Sequence, residues 1–123
     1  MEIRECIGRV DHVKPNQYGI EEKVGWLSYL DGTIWNDIIK THEDAPEGEF
    51  EPYVPEDTGR ELLAGVPYDE MYCAYLKMRI DEANGETGRY NNSAAMFNAH
   101  LEEFAKYYNR THLPLDAGRF RIL

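Results

Sequence analysis

The side chains best equipped for chemistry in this sequence are four histidines, His12, His42, His100 and His112, and two cysteines, Cys6 and Cys73. Brought together, such groups hold zinc, and bound zinc polarises a carbonyl or ionises a water. Their spacing works against it. His42-Glu43 opens like the helix of a zinc protease, but the second histidine belongs four residues after the first, and Pro46 stands there. No other pair among the six has the short spacing of a zinc site. Gly85 and Gly88 are followed by neither Gly-Lys-Ser nor Gly-Lys-Thr, and no Gly-x-Ser-x-Gly turn presents a nucleophile.

Paired carboxylates at Glu21/Glu22 and Glu102/Glu103 fall on helix faces expected to be exposed, where they are solvated charge rather than acid and base. His100 reads as a half-buried packing histidine on the flank of the last helix, with a pH-sensitive contact as the alternative. Asn91, Asn92, Asn98 and Asn109 have no ligand-binding spacing and suit hydrogen bonds to backbone or to a neighbouring subunit. No catalytic residue, cofactor or metal is therefore expected, and the chain does not read as an enzyme.

The elements that carry these residues are helical. The strongest pattern lies between Asn84 and Pro114, where Tyr90, Ala94, Phe97, Leu101, Phe104 and Tyr108 recur at steps of four and three. At 100° per residue they share one stripe of a helix over about 88–110, with Thr87 as its N-cap. Met96, His100 and Tyr107 form a second band on its flank. One face for the chain's own core and one for a neighbour is the expectation that follows.

Three further helices are expected ahead of it, at roughly 3–13, 20–42 and 67–84. The first carries Ile3, Cys6, Ile7, Val10 and Val13 on one side, and Pro15 ends it. Gly19 caps the second, whose stripe of Ile20, Val24, Leu27, Leu30, Ile34, Trp35 and Ile38 is interrupted by Asp31. A carboxylate in that position needs a partner: Arg79 of the third helix, or a tyrosine or asparagine hydrogen bond while Arg79 snorkels over the edge. Pro67 is expected to start the third helix, and Asn84-Gly85 to turn it back against the fourth as an antiparallel hairpin. Between 43 and 65 the periodicity disappears among Pro46, Gly48, Pro52, Pro55 and Gly59, leaving an arm that is either a short irregular hairpin or an extended loop. An aperiodic tail, 114–123, ends in Arg119, Phe120, Arg121, Ile122 and Leu123, a composition suited to docking.

With 123 residues the chain reads as one all-α domain over 1–123. Nine tyrosines against four phenylalanines and two tryptophans suit half-buried faces and subunit contacts. The net charge of -10 comes from 23 acidic and 13 basic residues and opposes tight nucleic-acid binding. It fits a cytoplasmic protein, a DNA mimic, or a surface past which DNA slides. MEIREC lacks the basic start and apolar run of a secretory signal, and no stretch is apolar for the length of a membrane span. The thiols are accordingly expected reduced and buried, and the sequons at Asn91 and Asn109 coincidental.

Three stretches, DHVKPNQYGIEEKVGWLSYLDGTIWNDII, VPYDEMYCAYLKMRIDEANG and GRYNNSAAMFNAHLEEFAKYYNRTHLP, together resemble the helical head-tail connector, or neck adaptor, class of tailed phages and prophages. The likeness runs in order through nearly the whole chain. It implies a structural subunit of the virion neck, made in the bacterial cytoplasm, that forms a homo-oligomeric ring, dodecameric in that class. The ring would join the portal protein to the stopper or tail-completion protein and line the exit channel for double-stranded DNA without binding it tightly. The class has no catalytic residues to carry over and no short motif for the portal contact. The helical wheels alone nominate Met96, His100 and Tyr107 of the last helix, Phe50 and Tyr53 of the arm, and Arg119, Phe120 and Arg121 of the tail as subunit or portal contacts. The alternative is an acidic DNA mimic or inhibitor that binds a basic host or phage protein.

Overall fold

A computed structural model describes residues 1–115 of the chain. It is all-α, with four helices: α1 (Ile3–Val13), α2 (Ile20–Asp37), α3 (Glu70–Ala83) and α4 (Thr87–Thr111). Short 3-10 turns at Ile39–Thr41 and Pro55–Asp57 interrupt the segment between α2 and α3. The core is drawn from every helix: Ile3, Cys6 and Val10 of α1, Val24, Leu27 and Ile34 of α2, Met71, Tyr72, Leu76 and Ile80 of α3, and Phe97 and Phe104 of α4.

The helical stripes fall largely where the periodicity places them, but Val13 and Ile20 of the expected stripes are 63% and 50% exposed, Lys23 and Asp81 are buried outside them, and the helix ends also depart. The second helix, expected to reach residue 42, stops at Asp37. Beyond it, side chains occupy the carbonyls a continuing helix would need: Thr41 Oγ1 donates to Ile38 O at 2.7 Å, and the His42 ring contacts the same oxygen through Nδ1. Pro67 does not start α3. The segment before the helix runs through tight turns, with Tyr68 N–H on Gly65 O at 2.8 Å and Tyr72 N–H on Asp69 O at 3.1 Å, and regular helix begins at Glu70. Thr87 is not a cap either: it is the first residue of α4, and Glu86 holds the N-cap position without a side-chain cap bond.

α3 and α4 form the expected antiparallel hairpin. Tyr68 packs near Phe104, Tyr75 against Phe97 with ring centroids 5.0 Å apart, and Ser93 Oγ donates to Asp81 at 2.6 Å, so residue numbers rise on one helix as they fall on the other. The turn between them needs Gly85, whose φ of 72° lies in the left-handed region, and the N–H groups of Asn84, Gly85 and Glu86 close onto Ile80, Glu82 and Asp81 carbonyls.

The arm from 43 to 65 does not pair with itself. It is an extended loop flanked by two isolated antiparallel bridges, Glu2 with Glu61 and His42 with Pro114. At the first, Arg60 and Thr58 carbonyls accept the N–H groups of Ile3 and Arg4 at 3.0 and 2.9 Å, satisfying donors that the first turn of α1 leaves without intrahelical partners. The α-amino group of Met1 closes the same corner on Glu61 at 2.9 Å.

Candidate assembly surface

Asp31 is fully buried, and the structure decides its partner. Its carboxylate accepts the hydroxyl of Tyr72 at 2.6 Å, the hydroxyl of Tyr53, and the backbone N–H of Leu63 at 3.0 Å. Tyr72 in turn accepts the Ala64 N–H at 2.8 Å. α2, α3 and the arm therefore meet at one carboxylate. Burial pushes its pKa up, and the two tyrosine hydroxyls with the Leu63 N–H pull against that rise. Arg79 stays at the edge, with its guanidinium over the Trp26 ring at 5.5 Å. Of the two sequence readings of Asp31, the tyrosine hydrogen bond is the one realised.

That hub decides the fate of the arm residues nominated as contacts. Tyr53 is core: it is 6% exposed, its N–H donates to Ser28 Oγ at 3.0 Å, and Arg60 covers its ring at 4.6 Å. A hydroxyl that serves a buried carboxylate cannot leave without stranding it, so Tyr53, expected as a subunit contact, is tied to the chain's own core. Phe50 is half-buried, edge-on to Tyr53 at 5.2 Å and lying over Gly32 of α2.

The flank of α4 behaves differently. Phe97 and Phe104 are its two buried residues, each worth about 2–3 kcal/mol by burial. Met96, a quarter-turn away, is 57% exposed. With Ser93 and half-buried His100 it forms one wall of a small cleft of about 140 Å³, whose other wall is Glu70, Cys73, Ala74 and Lys77 of α3. Tyr107 is not in that cleft. It stacks on Tyr68 with ring centroids 4.5 Å apart and 26° between planes, so the structure splits the three-residue band into an open pair and a residue that packs within the chain. Arg119, Phe120 and Arg121 lie outside the described residues.

Two features were missed by sequence reasoning. Cys6 and Cys73 are partners, neither in a disulfide. The Arg9–Glu70 pair at 3.1 Å sets α1 beside α3 one turn from both cysteines, and the two thiols are neighbours. This contact lowers the pKa of Cys73 and raises that of Cys6. The second feature is His42, read only as a failed zinc motif. It is buried, with Nε2 2.8 Å from the side-chain amide of Asn109 and its ring edge-on to Tyr108 at 4.6 Å, and so ties the end of α2 to the end of α4. A buried histidine has no local signature that names its partner.

Among the described residues, no cluster of three or more His, Cys, Asp or Glu side chains has the geometry to hold a metal ion. Nor is any described helix long and apolar enough to cross a membrane. Compared with family models, with curated proteins and with solved structures, the chain matches none.

Proposed function

We propose that this chain is a structural subunit of a phage neck, assembling as a homo-oligomeric ring that joins the portal to the stopper or tail and surrounds the DNA exit channel. The sequence resemblance to neck adaptors supports this reading. So does the net charge of -10, because a channel wall of the same sign as DNA lets the duplex pass without adhering.

The observation that carries it is the two-sidedness of α4. A helix of 25 residues, about 37 Å long, fully buries only Phe97 and Phe104 among the described residues, with Leu101, Tyr107 and Tyr108 partly buried beside them. Met96 and His100 stand at an open cleft on its flank. A ring subunit needs such a second face, since a closed ring is built from heterologous contacts in which one patch meets a different patch on the next copy.

The test is assembly. Purified chain should form rings on concentration or on mixing with the cognate portal, seen by negative-stain microscopy and mass-resolved size-exclusion chromatography. Met96→Glu with His100→Glu should stop ring formation while the helical circular dichroism stays unchanged. A chain that neither self-associates nor binds portal under any condition sinks the reading. The acidic charge also favours the alternative, an inhibitor of a basic host or phage protein. That protein would be captured one-to-one, with affinity collapsing as salt rises.

A further inference from the structure

α1 and α3 run side by side in the same direction, as the ion pairs at their two ends require. The Met1 α-amino group lies 3.7 Å from Asp69 Oδ2, and Lys14 Nζ lies 2.6 Å from Asp81 Oδ1. The partners in those two pairs are 68 and 67 residues apart in sequence. Cys6 and Cys73 are also 67 apart, so the parallel register sets them level with each other between the two ion pairs, and their thiols are neighbours. No disulfide joins them.

Their surroundings differ. Cys6 has no exposed surface and lies in the core with Ile3, Ile7 and Val10. Cys73 is 7% exposed and lines the cleft of about 140 Å³ between α3 and α4. Water takes about 30 Å³ in the liquid, so the cleft has room for a small oxidant beside the Cys73 sulfur. Contact with Cys6 lowers the Cys73 pKa against the effect of burial, and the cations Arg9 and Lys77 act in the same direction as that contact. Thiolate is the form that attacks an oxidant.

We propose that Cys73 is an oxidation site for hydrogen peroxide and that Cys6 resolves it, tying α1 to α3 through a reversible disulfide. In the first step the Cys73 thiolate attacks one peroxide oxygen. An S–O bond forms, the O–O bond breaks, and the departing hydroxide becomes water with the proton that Cys73 gave up on ionising, leaving a sulfenic acid. In the second step the Cys6 sulfur attacks the Cys73 sulfur. The S–S bond forms, the S–O bond breaks, and the Cys6 proton leaves with the hydroxide as a second water. Two thiols thereby give two electrons to one peroxide. The order is fixed by access, since Cys6 is buried and Cys73 lines the cleft. The inference concerns the dispersed subunit and is independent of the ring reading, in which the next copy would cover the cleft.

Mass mapping without reduction tests it on the full chain, held dilute and shown to be monomeric by size-exclusion chromatography. After a small molar excess of hydrogen peroxide, catalase and alkylation, the expected product is a Cys6 peptide joined to a Cys73 peptide within one chain, lighter by two hydrogens than the separate pair. Both free thiols should be lost together and return with dithiothreitol. Cys6→Ala, checked for unchanged helical circular dichroism, should leave Cys73 as a sulfenic acid that dimedone traps. The wild-type map does not depend on that variant folding. Two free thiols after peroxide treatment of the folded chain would overturn the proposal. So would Cys73 carried to sulfinic acid beside a free Cys6, a disulfide found only between copies, or a link that forms only in urea.

Discussion

Tyr72 on α3 donates its hydroxyl hydrogen to the Asp31 carboxylate on α2 at 2.6 Å, while its oxygen accepts the Ala64 N–H at 2.8 Å. One hydroxyl thus connects two helices and the arm. Because Asp31 is fully buried, removing that hydroxyl leaves a carboxylate oxygen and a backbone N–H short of partners. Tyr72→Phe should destabilise the fold by about 1–3 kcal/mol, read as a lower urea midpoint at unchanged slope. Tyr53→Phe should act on the same carboxylate, so the double variant should deviate from the sum of the singles. Strict additivity would show that the two hydroxyls do not share Asp31.

Stability should also depend on pH through this group. Burial raises the folded-state pKa of Asp31 above its ordinary value of 3.8, so in the window between the two values the folded chain binds more protons than the unfolded one. Its contribution is complete below 3.8 and is lost as pH rises through the folded pKa. Asp31→Asn, which cannot ionise, should lack that component. Urea unfolding of both proteins across about pH 3 to 7 measures it, and two parallel stability curves would contradict it.

The two sides of α4 should separate in their energetics. Phe104→Ala, at a position 4% exposed and close to Tyr68, Tyr107 and Tyr108, should cost about 3–5 kcal/mol. Met96→Ala should change stability by no more than about 0.5 kcal/mol. Thermal unfolding of both variants decides it; a Met96 variant that unfolds as readily as the Phe104 variant would place Met96 in the core.

The thiol pair should react in a fixed order. Cys73 lines the cleft with a lowered pKa, whereas Cys6 is fully buried with a raised one. Thiolate is the reactive form, so iodoacetamide should modify Cys73 before Cys6 in the folded chain. Peptide mass mapping over time gives the order, and equal rates would mean both thiols react only after unfolding.

How far the sequence reaches is visible in particular residues. The stripe from Tyr90 to Tyr108 places α4 within a residue at each end, because helical periodicity is a relation among residues three and four apart. α1 is read to the residue for the same reason, with Pro15 as its stop. Interruption of the α2 stripe by Asp31 is equally plain, and it already demands a hydrogen-bonding partner. The end of α2 was less legible, since the carbonyls that would continue it are occupied by Thr41 and His42, an outcome of side-chain geometry rather than of pattern.

By itself, then, the sequence determined four helices, most of the faces they bury, an acidic chain and a carboxylate in need of donors. Tertiary structure alone decided that Tyr53 and Tyr72 are those donors, that the arm closes on α1, that Cys6 meets Cys73, and that Tyr107 turns to Tyr68 while Met96 stays open. The division has a physical cause. Helical periodicity is local, whereas Asp31 and Tyr72 are 41 residues apart, and which of many tyrosines reaches a buried carboxylate is settled only when the helices pack and the loops between them close.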